Sequence, residues 1–214
     1  MQTIVREMKL DDIDEVTIFL RDHFFGSEPL MQTLGDHQID YDDAKRRKSR
    51  LSLIAQGTSL VAIEAGRFVG VAFAGVIHPS DLEESWSEAN EHKPKLLIEH
   101  IDYFLSDLAR SARFFERYGV VDALYLSVLA VDATVRRQGL GRCLVTALLD
   151  VGRAKRLPLL VTTCTSLYSK RVMDALGMEC VRSERYKDYE DEDGNVVIQP
   201  PAPHTECTVM AIKL

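Results

Sequence analysis

Arg136-Arg137-Gln138-Gly139-Leu140-Gly141 lies between an apolar run, Ala123 to Val131, and a helix-period pattern of Leu140, Leu144, Ala147, Leu148 and Val151. The run predicts a central strand buried on both faces. The pattern after it predicts an amphipathic helix. A loop joining the two aims several backbone N–H groups at one point, and the helix N-terminus adds partial positive charge. Gly139 and Gly141 remove the Cβ atoms that would hold a phosphate away. Arg136, Arg137 and Arg142 add donors and charge. The stretch predicts a phosphate-binding turn.

Outward from this loop the chain alternates strands and helices. Residues 2–8 read as a first strand. Asp11 and Asp12 offer caps for a helix with the stripe Ile13, Val16, Leu20 and Phe24, which ends at Gly26-Ser27-Glu28-Pro29. A helix over 40–56 starts with Asp40, Asp42 and Asp43 and continues with Lys45 to Lys48, so Asp42–Arg46 and Asp43–Arg47 fall at i,i+4 spacing. Ser59–Glu64 and Phe68–Ile77 read as a hairpin turning at Ala65-Gly66. A polar loop is expected over 79–94, then a helix over 95–117 with Leu97, Ile101, Phe104, Leu105, Leu108, Ala112 and Phe115 on one face. Pro158–Cys164 reads as a second buried strand. Ser166–Leu176 reads as a short helix closed by Gly177. Strands at 179–188 and 205–213 finish a mixed α/β sheet.

Composition narrows the function classes. The 214 residues carry 33 acidic and 26 basic side chains, a net charge of −7. That balance disfavours a nucleic-acid partner and suits a small cationic one. Surface scaling predicts that a single domain of this length buries about 70% of its unfolded surface. No apolar stretch reaches the length of a membrane span, and Arg6, Glu7 and Lys9 near the start do not fit a secretory leader. Cys143, Cys164, Cys180 and Cys207 have no C-x-x-C spacing. No zinc site is expected, Cys143 and Cys164 read as reduced core thiols, and a cytoplasmic location follows. The other histidines form no ligand spacing, so no metal is expected.

Three phosphate-loop types are distinguishable here. A P-loop requires Gly-Lys-Ser/Thr, but Arg142-Cys143 follows Gly141. A dinucleotide fingerprint requires a small residue at the position of Leu144. The remaining pattern, R/Q-x-x-G-x-G/A, is met by Arg136, Gly139 and Gly141. With it the whole chain resembles the GCN5-related N-acetyltransferase superfamily. The resemblance implies one N-acetyltransferase domain over 1–214. Its mixed, mostly antiparallel sheet would splay between the 123–131 and 158–164 strands, with helices on both faces. Acetyl-CoA would lie in that cleft along Leu129 and Val131, with its pyrophosphate on Arg136, Arg137, Gln138, Gly139, Leu140, Gly141 and Arg142.

A narrower resemblance is carried by Phe24-Phe25-Gly26-Ser27-Glu28-Pro29-Leu30, Thr165-Ser166-Leu167-Tyr168-Ser169, Ala175-Leu176-Gly177-Met178 and His204. These segments are similar to the insect arylalkylamine N-acetyltransferases. The resemblance implies Glu28 as general base and Ser169, with Tyr168 nearby, as general acid or thioester-positioning hydroxyl. Pro29, Thr165 and His204 would shape the amine pocket. The family often has serine where Thr165 stands. Elementary chemistry is in accord: an ammonium must lose a proton before it attacks a thioester, and a desolvated carboxylate takes one near neutral pH. Phe24, Phe25, Pro29, Leu30 and Met31 would desolvate Glu28. A backbone N–H around Val131 would serve the oxyanion.

The expected activity is acetylation of an arylalkylamine such as dopamine, tyramine, serotonin or octopamine, by a monomer. Alternatives are an agmatine or polyamine acetyltransferase, with Asp36, Asp40 and Glu190 as candidate second acids, a protein-lysine acetyltransferase, and a non-catalytic acyl-CoA sensor.

Overall fold

The computed structural model describes residues 3–35 and 44–214. The elements run β1 (Ile4–Glu7), α1 (Ile13–His23), α2 (Pro29–Thr33), α3 (Ala44–Ala55), β2 (Leu60–Glu64), β3 (Arg67–Ile77), α4 (Pro79–Asn90) and α5 (Leu97–Ser111). They continue with α6 (Phe114–Tyr118), β4 (Ala123–Val131), α7 (Leu140–Ala154), β5 (Leu159–Cys164), α8 (Leu167–Ala175), β6 (Glu179–Arg185) and β7 (Glu206–Lys213). The strands form one sheet in the order β1-β2-β3-β4-β5-β7-β6. Every neighbouring pair is antiparallel except β4 and β5. This is the mixed, mostly antiparallel α/β sheet expected from the sequence.

Alternation along the strands sends side chains to two faces. On one face α7 and α8 cover Leu60, Ala62, Ala72, Leu124, Leu126, Leu160 and Met210. On the other, α1 packs with Val61, Val71 and Phe73, while α5 and α6 cover Leu159, Val161, Val209 and Ala211. The helices flanking both faces each spend an apolar stripe on this sheet.

The sheet forks between β4 and β5. Their parallel pairing consists of Leu124↔Leu160, Tyr125↔Val161 and Leu126↔Thr162 and then stops. A register shift opposite Phe73 and Ala74 leaves Ser127 as an extra residue in β4. Such a bulge bends a strand and raises its twist. It also resets the alternation: Leu126 faces α7, Val128 faces the opposite core, and Leu129 faces α7 again. The expectation that Ala123–Val131 is buried on both faces needs correction here. Ser127 is exposed, and Val128, Leu129 and Val131 are half-buried, because beyond the fork β5 no longer flanks them. Two side chains fasten the fork at its base: the Thr162 hydroxyl donates to the Leu126 carbonyl (2.8 Å), and the Tyr125 phenol donates to the Thr163 hydroxyl (2.7 Å).

Several local expectations are revised. The polar segment 79–94 is mostly helix, not loop. Pro79 suits the first helical position, and Asp81 accepts the His78 N–H (2.8 Å). Leu82 and Trp86 face α5, where Arg110 lies over the Trp86 ring, 4.2 Å from its centroid. The single helix over 95–117 is two, because Arg113 takes a left-handed conformation between α5 and α6. The first strand is confined to Ile4–Glu7, and a 3-10 turn, Leu10–Asp12, precedes α1. The strand expected to reach 188 ends at Arg185 and passes into a 3-10 turn, Tyr186–Asp188. Cys143 is exposed on the outer side of α7, whereas Cys164 and Cys207 are buried. The expected Asp42–Arg46 and Asp43–Arg47 pairs, and Asp36 and Asp40, lie outside the described residues. Arg47 pairs with Asp14 of α1 (2.6 Å).

Asp132, 1% exposed, closes β4 and starts the loop. Its carboxylate accepts the Thr134 N–H and hydroxyl (both 2.8 Å) and pairs with Arg67 (2.5 Å). Burial alone would raise its pKa, but these donors outweigh burial and hold it at about 2. A carboxyl depressed in the folded state stabilises the fold above its unfolded pKa of about 4, and that contribution fades as pH falls towards 2. Asp132→Asn should therefore lower stability by about 1–3 kcal/mol at pH 7. In denaturant titrations the difference from the parent should shrink between pH 5 and pH 2; a pH-independent difference would contradict this account.

Candidate active site

Parallel pairing puts the C-terminal ends of β4 and β5 at the same edge, so α7 and α8 both begin at the mouth of the fork. Gly139 is the N-cap of α7 with φ +83°, a left-handed conformation that disfavours any β-carbon. It supplies no side-chain cap, so the N–H groups of the first turn, at Leu140, Gly141 and Arg142, face outward for an incoming acceptor. Cys143 N–H already bonds the Gly139 carbonyl (2.9 Å). A Cβ on Gly141 would meet Leu129 and Val131, both at 3.8 Å, so this turn lies directly on the end of β4. Gln138, Gly139, Leu140 and Cys143, with Thr3, Glu64 and Val135, line a cavity of about 210 Å³. Arg137, in a left-handed conformation, and Arg142 are exposed beside the turn.

Arg136 also has partners within the protein. Its Nε donates to the Val131 carbonyl (3.0 Å), and one terminal nitrogen donates to the His23 carbonyl (2.8 Å) and the Ser27 hydroxyl (3.1 Å). It thus straps the end of α1 and the turn before Glu28 to the phosphate-type loop. No pattern in the sequence signalled this bridge between positions more than a hundred residues apart.

Glu28 is the N-cap of α2, and Pro29 takes the first helical position. Glu28 Oε2 accepts the Met31 N–H (2.6 Å), while Oε1 is buried without a hydrogen-bond partner among the described residues. A carboxylate only 9% exposed is costly to charge, and burial pushes its pKa above the ordinary glutamate range. The Thr165 hydroxyl faces the carboxylate and, with the Met31 and Leu30 N–H groups, opposes that rise. Thr165 lies just past β5, so the α1–α2 turn and the β5–α8 turn meet at the fork. On the outer side of the Glu28 turn a cavity of about 620 Å³ is lined by Phe25, Gly26, Met31, Gln32, Gly35, Gln199 and Pro201.

The β5–α8 turn brings the remaining predicted residues together. Ser166 caps α8, accepting the Ser169 N–H (3.0 Å). The Ser169 hydroxyl is half-buried; it lies 2.9 Å from the Ser166 hydroxyl and donates to the Ser166 carbonyl (2.9 Å). Tyr168 is exposed and meets the His204 ring edge-on, with centroids 5.4 Å apart. His204 Nδ1 accepts the Leu167 N–H (3.1 Å), which requires the neutral ring, and burial lowers its pKa in the same sense. His204 thereby satisfies an N-terminal donor of α8 in addition to standing beside the turn.

The arrangement is a split sheet with an anion-type turn at one strand end and a buried carboxylate at the other. Residues 21–178 match the model of the acetyltransferase (GNAT) family. The chain belongs to the GNAT acetyltransferase family. A polyamine N-acetyltransferase of Drosophila melanogaster, which catalyses the formation of N-acetylagmatine, is 29% identical over the full length of both chains with a TM-score of 0.87. A mosquito arylalkylamine N-acetyltransferase, like 5b, is 28% identical over both full lengths, with a TM-score of 0.85. Arylalkylamine N-acetyltransferase 2 from Aedes aegypti shares the fold at 24% identity and a TM-score of 0.90, covering all of this chain and 99% of that one.

GNAT acetyltransferases use acetyl-CoA, and the uncapped start of α7 fits its pyrophosphate. Among the described residues no group of three His, Cys, Asp or Glu is arranged to hold a metal, and no helix is long and apolar enough to cross a membrane. Acetyl-CoA should raise the unfolding temperature of the parent, because only the folded loop binds it. Gly139→Val should abolish that rise, through backbone strain at φ +83° and a side chain projecting into the open turn. A Gly139→Val protein that folds and is protected like the parent would remove the loop from the site.

Proposed function

We propose that this protein transfers an acetyl group from acetyl-CoA directly to a small primary amine, and that the acceptor is an arylalkylamine such as dopamine, tyramine, serotonin or octopamine. The observation that carries this reading is the buried Glu28 carboxylate, with one free oxygen, at the mouth of a fork whose other arm leads to the anion turn. Glu28 attracts the ammonium and takes its proton. The free amine then attacks the thioester carbon held between β4 and β5. Backbone N–H groups of β4 beyond the fork, at Leu129 and Val131, receive the oxyanion as the tetrahedral intermediate forms. The carbon–sulfur bond breaks, Ser169 protonates the leaving thiolate, with Tyr168 as the neighbouring hydroxyl, and Ser169 regains its proton from the second one that the nitrogen sheds as it becomes the amide. Arg137, Gln138, Leu140, Gly141 and Arg142 hold the pyrophosphate, while Arg136 braces the loop against Ser27.

Pro29 fixes the entry to α2, and Thr165 and His204 line the acceptor side. The cavity over the Glu28 turn offers Phe25, Met31 and Pro201 to an aromatic ring, and the Gln32 and Gln199 amides to its hydroxyls. Residues 1–214 act in this reading as one acetyltransferase domain in the cytoplasm, supported by the continuous sheet and the four unpaired cysteines. A second reading, an agmatine or polyamine acceptor, is favoured by the similarity to the Drosophila enzyme. A thiol-release assay with acetyl-CoA and a panel of arylalkylamines, agmatine, spermidine and lysine peptides decides among them. Coenzyme A binding without release on any amine would replace the enzyme with a sensor.

Glu28→Gln keeps shape and can still accept the Met31 N–H, but it cannot take a proton. It should lower kcat/KM about 10²- to 10⁴-fold and remove the acidic limb of the pH–rate profile. Because burial raises this carboxyl, the parent's limb should lie above the ordinary glutamate range, with activity lost as pH falls through it. An unchanged limb in Glu28→Gln would remove Glu28 from the chemistry. Ser169→Ala should cost about tenfold to a thousandfold in kcat with the fold intact. Parental kinetics would reduce Ser169 to a helix-start hydroxyl and turn the assignment to Tyr168.

A further inference from the structure

Tyr186 has a buried phenol that the reaction scheme above does not use. The residue is 2% exposed and begins the 3-10 turn after β6. Its hydroxyl donates to the Thr165 carbonyl at 2.7 Å. Thr165 is the residue whose hydroxyl faces Glu28, and it opens the turn that leads into Ser166 and Ser169. The Tyr186 ring is itself held: Phe104 of α5 lies against it with centroids 5.7 Å apart, and Tyr189 packs edge-on to Phe104 at 5.3 Å. His100 of α5 meets the Tyr189 hydroxyl at 3.1 Å. An aromatic column thus runs from the α5 insertion to the carbonyl of Thr165.

We propose that Tyr186 is a positioning residue: by fixing the Thr165 carbonyl, its phenol holds the Thr165 hydroxyl against the Glu28 carboxylate and so sets the basicity of that carboxylate. The inference rests on Glu28 being the base. Two features support it. Among the described residues Glu28 Oε1 has no hydrogen-bond partner, so the side chain that stands beside this carboxylate has a large effect on its charged form. The Thr165 peptide lies between β5 and α8, where the phenol is its tether from the β6 side.

Two titratable groups among the described residues sense the Glu28 charge. The Tyr186 phenol and the Cys207 thiol of β7 both do, and burial pushes both far above their ordinary values, so they stay neutral. The charged group strapped to the same turn is Arg136, which bonds Ser27 and His23. With the neighbours neutral and Arg136 held elsewhere, the Thr165 hydroxyl is the adjustable partner. Losing its alignment weakens support for the carboxylate and moves the titration upward.

The test is a direct titration of the Glu28 carboxyl carbon by NMR in the ligand-free protein labelled at glutamate, identified by its loss in Glu28→Gln. The pH–rate profile is recorded in parallel. Tyr186→Phe should move the Glu28 titration and the acidic limb upward by about half a pH unit or more, a roughly threefold fall in the ratio of charged to neutral carboxyl at the parent midpoint. It should lower kcat and leave the thermal protection by acetyl-CoA unchanged. Thr165→Val, which removes the hydroxyl itself, should give the same upward shift, and the double variant should add nothing further. A Tyr186→Phe protein that is merely less stable, with the Glu28 titration in place, overturns the inference. If that variant does not fold, Thr165→Val alone decides, since an unmoved titration there also overturns it. An acidic limb that survives Glu28→Gln would fault the base assignment instead, and the NMR titration distinguishes that failure from this one.

Discussion

Pairing between β4 and β5 stops after Leu126 and Thr162, and both turns of the candidate site depend on where it stops. Two parallel strands in register would leave no room between them. The extra residue at Ser127 turns β4 away while Thr162 and Tyr125 keep the base of the fork closed. The result is a gap of defined origin rather than a loose edge. Backbone groups of β4 that would have bonded β5 are exposed inside it, and a polar ligand can use them. Because the strands are parallel, the helices that follow each begin at the open end, so two helix N-termini converge there. That convergence favours an anionic ligand before any side chain is considered.

The opposite side of the gap is built by contacts distant in sequence. Arg136 reaches from the phosphate-type loop to His23 and Ser27, Thr165 stands beside Glu28 from the end of β5, and His204 reaches from before β7 to the start of α8. Each link joins the neighbourhood of a strand end to a turn distant in the sequence. The α1–α2 turn is therefore held from two directions, although its own secondary structure is short. Glu28 is fixed by capping α2 with one oxygen, and the other is left buried and unpaired. A carboxylate so placed is strained electrostatically, and its environment is balanced between burial, which favours the neutral acid, and three nearby donors, which favour the anion. In the proposed reaction this balance raises the proton affinity of the carboxyl above that of an ordinary glutamate, as a base requires.

The α5 insertion adds support at one remove. Its apolar stripe covers the β5–β7 half of the sheet, and the Phe104, Tyr186 and Tyr189 column carries that support to the Thr165 carbonyl. The left-handed Arg113 lets the chain turn after α5, so that Phe114 and Phe115 of α6 enter the same core. Packing on this side thus reaches the site through a hydrogen bond.

By itself the sequence determined the order of the seven strands and the helices with a clear apolar stripe, because hydrophobic period and turn residues act over a few positions. It also determined the loop from Arg136 to Gly141, where local spacing is the whole signal. Glu28, Thr165, Ser169 and His204 were legible as candidates only through a family resemblance, since nothing local distinguishes them from ordinary loop and cap residues. The α4 segment was misjudged because its apolar residues are few and its stability comes from packing on α5. Cys143 was misjudged because an apolar run does not say which side of a helix a residue takes. Only the tertiary structure decided that Arg136 braces the Glu28 turn, that Oε1 of Glu28 lacks a partner, and that Tyr186 holds Thr165. Those facts depend on side chains from opposite ends of the chain meeting across a bulge-opened sheet, and burial and pairing of that kind are properties of the assembled core rather than of any window of sequence.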